Sequence, residues 1–111
     1  MGKRGYFVIS ARTKPEIWER FNQWYGEVHL PLAAKRFGAR EAFRLHSREE
    51  PNTHVAVYGF DDMDNVQTPA FQSVLQSLIL EFDAEWPHGV TRKRMYFDVQ
   101  DAIAAVDIPE G

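Results

Sequence analysis

Apolar positions change their period along this chain, and each change marks an element. Tyr6 to Ser10 is apolar at consecutive positions, the signature of a strand buried on both faces. Thr13-Lys14-Pro15-Glu16 then has the form of a capping box, with Thr13 as N-cap and Glu16 at the third position. From Ile17 the period becomes helical: Ile17, Trp18, Phe21, Trp24, Tyr25, Val28 and Leu32 fall on one arc at about 100° per residue. Pro31 predicts a kink into a short second piece that ends at Gly38, a residue suited to a helix C-terminus. Glu41 to Arg48 alternates Phe43 and Leu45 with Arg44 and His46, as a half-buried strand does, and Glu49 to Asn52 reads as a turn. Thr53 to Phe60 is again apolar on both faces, and Asp61 to Gln67 is a polar loop or helical turn. Thr68-Pro69 opens a second helix with the stripe Phe71, Val74, Leu75, Leu78, Ile79, Phe82 and Trp86, while Leu80 lies opposite. Pro87-His88-Gly89 closes it, and Val90 to Val99 is the last strand.

The order βαββαβ predicts one α+β domain over residues 1–111, a ferredoxin-like four-stranded antiparallel sheet with a tail from about residue 101. In that topology the first and third strands are central, and these are the two with apolar residues on both faces. Two helices cover only one face of such a sheet. Tyr6, Val8, Ala56, Tyr58 and Phe60 alternate with Phe7, Ile9, Val55 and Val57, so the second face is apolar as well. A symmetric homodimer with sheet packed on sheet is the plain way to cover it. Ile103, Val106 and Ile108 of the tail are free to pack on the body or on a partner.

Composition narrows the function classes. An apolar share of 44% supports a globular core, and a net charge of −3 gives no general affinity for nucleic acid or an anionic membrane. Arg92-Lys93-Arg94 is the one basic run, and on a strand it reads as a solvated sheet edge. With no cysteine, thiolate metal sites, disulfides and cysteine nucleophiles are excluded, and a cytoplasmic location is expected. No segment has the length of a membrane span or a signal-peptide core. Phosphate loops, dinucleotide fingerprints and nucleophile elbows are absent, and the spacing of the histidines matches no zinc motif, so neither a metal nor a cofactor is expected.

The candidate chemistry centres on Trp24-Tyr25-Gly26-Glu27-Val28-His29-Leu30-Pro31. Tyr25 and His29 are four apart on one helical face, His29 sits at the margin of the apolar arc beside Tyr25 and Trp18, and Glu27 points to solvent. An imidazole there is suited to move a proton, with the phenol donating a hydrogen bond. The competing reading is a histidine at a helix C-terminus, interacting with the helix dipole. His46 and His54 face each other across the hairpin as a second, structural pair. Tyr6, Trp18, Trp24, His54, Phe71, Phe82 and Trp86 are candidate walls for a planar, mostly apolar ligand, although aromatic stripes at helical spacing also build cores.

The run ending in His29-Leu30-Pro31 resembles the EthD-like branch of the dimeric α+β barrel superfamily, whose first helix ends in aromatic-x-x-x-His-x-Pro. The likeness in element order extends from Gly5 to Val99. It implies a small cofactor-independent enzyme acting on an aromatic, polyketide-like or lactone substrate by isomerase, cyclase or lyase chemistry, with His29 and Tyr25 as catalytic residues. Other members of the superfamily imply two alternatives, a ligand- or haem-binding accessory protein and a cofactor-free monooxygenase. Thr68-Pro69-Ala70-Phe71 departs from the stress-responsive and polyketide-cyclase branches, where histidines flank Pro-Ala, so no histidine from the second helix is available here.

Overall fold

The computed structural model describes residues 2–104, 106 and 109. Four strands, β1 (Gly5–Thr13), β2 (Glu41–His46), β3 (Thr53–Phe60) and β4 (Val90–Asp98), form one antiparallel sheet in the order β2-β3-β1-β4. The helices are α1 (Trp18–Trp24), α2 (Leu30–Phe37) and α3 (Pro69–Glu85), with α1 and α2 joined by a π-helical turn, Tyr25–His29. The fold is ferredoxin-like α+β, with the two predicted central strands in the centre. Thr68 accepts a hydrogen bond from the Phe71 amide and Gly38 ends α2 at φ 69°, as expected from their residue types.

Two local expectations fail. Thr13 does not cap a helix: it is the last residue of β1, its hydroxyl donates to the Lys14 carbonyl, and a short 3₁₀ turn over Pro15–Ile17 precedes α1. The break in the first helix comes before Pro31 and is a widened turn, in which the Leu30 amide donates to the Tyr25 carbonyl five residues back. Pro31 has no amide for the Glu27 carbonyl, and its ring crowds that carbonyl in a regular helix, so a wider turn just ahead of it relieves the clash. The wider turn also resets the buried face. Phe21, Tyr25, His29 and Ala33 are all buried, whereas Val28 and Leu32 are 49% and 36% exposed. Steps of four overshoot a regular turn by about 40° each, and the π turn absorbs the drift.

Register assigns the faces of the sheet. Under the helices lie Phe7, Ile9 and Ala11 of β1, with His54, Ala56, Tyr58 and Phe60 of β3. Ala42, Arg44 and His46 of β2 and Arg92, Arg94 and Tyr96 of β4 share that side. Tyr6 and Val8 therefore stand with Val55 and Val57 on the other face, a different grouping from the alternation in sequence. Phe43, Val57, Val8 and Met95 form a row across that uncovered face, flanked by Leu45 and Val55 on one side and by Tyr6 and Phe97 on the other. On β2 the polar Arg44 and His46 face the helices with Ala42, and the apolar Phe43 and Leu45 on the other side are 41% and 54% exposed. In the tail, Ile103 and Val106 are exposed and Ile108 lies outside the described residues. No helix among the described residues is long and apolar enough to cross a membrane.

Candidate functional site

The π turn places His29 one turn below Trp24, five residues earlier, and the two rings stack at 5.0 Å with planes 20° apart. Tyr25 and Phe82 meet the imidazole edge-on at 4.8 and 5.6 Å. The aromatic neighbour that lies against His29 is thus Trp24; Trp18 stacks instead on His46, at 5.1 Å. Since the helix continues through α2, His29 does not cap a C-terminus. Burial holds its pKa down to about 4, with Arg92 adding to the effect and Glu81 opposing it, so the imidazole is neutral at pH 7. A neutral ring gains nothing from the helix dipole.

His29 lines a small cavity between α2, α3 and the β4 edge, with Ile9, Phe37, Leu75, Leu78, Ile79, Arg92 and Arg94 as the other walls. Its volume is about 20 Å³, room for one water molecule. Arg92 stacks on Phe82 at 3.8 Å and donates to Asp83 Oδ1 at 2.6 Å. The basic run is therefore no fully solvated edge: Lys93 faces the open side of the sheet, while Arg92 is half-buried beneath the helices.

A second polar cluster lies at the other side of Tyr25. Its hydroxyl pairs with that of Tyr58 at 3.4 Å, and burial raises the pKa of both phenols. Arg44 Nε donates to His54 Nδ1 at 3.0 Å, and its other nitrogens donate to the Asn22 carbonyl at 3.1 Å and to Asn22 Oδ1 at 2.6 Å. This guanidinium ties β2 to the end of α1, just where the π turn begins, and lies 5.2 Å from the Tyr25 ring centre. Accepting at Nδ1 leaves the neutral His54 proton on Nε2. That nitrogen is buried with no hydrogen-bond partner among the described residues, and the Tyr25, Phe21 and Trp18 rings meet the imidazole nearly edge to face. Burial, reinforced by Arg44, lowers the His54 pKa to about 3. His46 pairs with His54 across the hairpin in the expected register.

The candidate residues divide into groups. His29, Tyr25, Trp24, Phe82 and Trp86 come together in one aromatic cluster, with His54 and Trp18 adjoining it through Tyr25 and Phe21. Phe71 packs away from His29, against Phe7, Phe37 and Phe60. Tyr6 is on the opposite face of the sheet, where its hydroxyl donates to Glu41 Oε1 at 3.2 Å. Most of the proposed ligand walls are thus packed core, and the open space is far smaller than an aromatic ligand. Arg44, Tyr58, Arg92 and Arg94 are the polar groups that sequence reasoning passed over. Among the described residues no three His, Asp or Glu side chains gather as a metal site.

Two buried neutral histidines make stability depend on pH. Unfolded, each takes up its proton near pH 6.5; folded, His29 and His54 resist protonation until about 4 and 3. The unfolded chain binds more protons across that window, so stability is full above about pH 6.5 and falls as pH drops toward 3. Thermal melts should show Tm declining steadily from pH 7 to pH 4, and a shallower decline in His29→Phe.

No protein-family model matches the sequence, and no curated protein matches it. Solved structures do match, at low identity. SnoaB, a cofactor-independent oxygenase from Streptomyces nogalater solved in mutant form, is 16% identical over 92% of this chain and 98% of its own, with a TM-score of 0.56. A proposed antibiotic biosynthesis monooxygenase from Nitrosomonas europaea is 14% identical over 90% and 93%, with a TM-score of 0.57. A nipsnap family protein of unknown function from Agrobacterium tumefaciens is 15% identical over 89% and 92%, with a TM-score of 0.58. These likenesses are of fold.

Proposed function

We propose that this chain is a small cofactor-independent enzyme that moves a proton on an aromatic, polyketide-like or lactone substrate, with His29 as the base. One observation carries the reading: a neutral imidazole, held by Trp24 and Tyr25, shares the wall of one cavity with the guanidiniums of Arg92 and Arg94. A C–H next to a carbonyl, or a phenolic O–H, loses its proton to the imidazole. The electron pair stays on the substrate as an enolate or phenolate whose oxygen faces the arginines. A base held near pKa 4 is weak in the free protein, but negative charge developing beside it favours the imidazolium, so base strength rises as the anion forms. Return of the proton at another carbon completes an isomerisation. Tyr25 packs against the imidazole and directs its hydroxyl to Tyr58, a role in holding the base. The cavity admits only the reacting end of a substrate, so the body lies along the α3–β4 opening or displaces α3.

The aromatic-x-x-x-His-x-Pro run supports the EthD-like branch, and the uncovered apolar face supports a homodimer. The fold shared with SnoaB favours a second reading, in which dioxygen is the co-reactant and the same carbanion is oxygenated. Haem does not fit: about 20 Å³ beside a ring stacked on Trp24 leaves no place for a porphyrin. Lactones and phenolic polyketides should be screened for turnover with and without air, in an oxygen electrode. Turnover without air supports isomerase or cyclase chemistry, and oxygen consumption supports the oxygenase reading. Inactivity towards both substrate classes in both atmospheres counts against the enzyme.

A further inference from the structure

Three cationic side chains lie around the opening beside His29, and two have counter-charges. Arg92 is paired with Asp83, and Arg36 with Glu81. Arg94, which lines the same cavity from the same face of β4, makes no ion pair or hydrogen bond among the described residues. Its neighbour on that face is Arg92, two positions away, a repulsive arrangement at about 7 Å along a strand. Apart from His29, the remaining walls, Ile9, Phe37, Leu75, Leu78 and Ile79, are apolar and offer a guanidinium no side-chain acceptor. Arg94 is exposed, so a missing partner alone means little, but its place beside Arg92 at the mouth of an apolar cavity creates a local positive potential that the net charge of −3 does not supply.

We propose that Arg94 is an anion-binding subsite and that the ligand of this cavity is an apolar or aromatic acid. Its carboxylate, or an equally acidic oxygen, pairs with the Arg94 guanidinium, and its apolar body lies against Leu75 and Ile79. Guanidinium forks match a carboxylate geometrically, and the apolar walls beside Arg94 take the body of the ligand. The inference rests on the same site as the proposed function but not on catalysis, because it concerns binding alone. The competing role for Arg94 is that of an inward-pointing charge that keeps the β4 edge from pairing with other strands.

Two probes of nearly equal shape separate these roles: 1-naphthoate and its uncharged amide, 1-naphthamide. Each is titrated into the intact protein at low salt, followed by the His29 and Trp24 ring resonances. Naphthoate should bind at least about tenfold more tightly than naphthamide, and added salt should shrink the difference. Arg94→Gln should abolish the preference while leaving naphthamide binding unchanged. Lys93→Gln, an identical charge change on the opposite face, should leave it intact. Equal binding of the two probes, binding of neither, or equal loss in Lys93→Gln overturns the subsite. A charge preference that survives in a protein with no turnover on any substrate sinks the enzyme reading and leaves the subsite standing. Turnover that depends on His29 without any charge preference does the reverse.

Discussion

Lysine in place of Val8 is expected to turn a dimer of this protein into a monomer that remains folded. Val8 is at the middle of the row formed by Phe43, Val57, Val8 and Met95, on the face that no helix covers. Phe43, Leu45 and Phe97 on that face are 41%, 54% and 50% exposed, a contiguous apolar surface that a single copy leaves in water. Sheet-to-sheet packing of two copies buries it, and a stable interface of this kind removes about 1,600 Å² or more in total. In one copy a lysine at position 8 reaches water along the sheet. Between two packed sheets a pair of ammonium groups would be trapped without partners, a cost of several kcal/mol. Sedimentation at micromolar concentration should give twice 12.9 kDa for the parent chain and 12.9 kDa for Val8→Lys. Leu80→Lys, at a position 63% exposed on the back of α3, should not change the mass. A monomeric parent chain, or dissociation by Leu80→Lys as well, would falsify the sheet interface.

Periodicity made most of this fold legible. Strand positions, the Thr68 cap, the Gly38 terminus and the sheet order follow from residue patterns that local physics enforces. The misreadings on β2 and β4 share one cause, that period alone does not say which side of an element is inside. On β2 the apolar Phe43 and Leu45 look like the core side, yet the helices cover Arg44, whose three hydrogen bonds satisfy its charge beneath them. On β4 the same holds for Arg92, stacked on Phe82 and paired with Asp83. This sheet has two apolar faces, so hydrophobicity cannot rank them. Arg92, Arg94 and Tyr96 share one face by alternation, and the register that sets Tyr96 opposite Phe7 puts that face on the core side. The π turn was foreshadowed only by Pro31. A regular helix aligns His29 with Tyr25 and leaves Val28 inside, and the additional residue in one turn moved Trp24 under the imidazole instead.

That relocation of His29 determines how its catalytic role is best tested. Alanine would remove a buried ring between Trp24, Tyr25 and Phe82 and leave a cavity, a loss of about 2–4 kcal/mol by analogy with other large-to-small core changes. Falling activity in His29→Ala alone would then mix chemistry with stability. Phenylalanine keeps the ring volume and the stack on Trp24 while removing both nitrogens. If His29 takes the substrate proton, His29→Phe should melt close to the parent at pH 7 and lose about 10²–10⁴-fold in turnover. Tyr25→Phe should lose much less, because the Tyr25 hydroxyl meets Tyr58 and its ring, which supports the imidazole, is kept. A histidine that merely fills the core predicts the opposite pattern. His29→Phe would then be as active as the parent, and its stability would no longer fall so steeply below pH 6.5. The pH dependence of the melt and the rate of turnover respond to the same two nitrogens by different routes. A variant that flattens the first and spares the second leaves His29 a core residue and removes it from the chemistry.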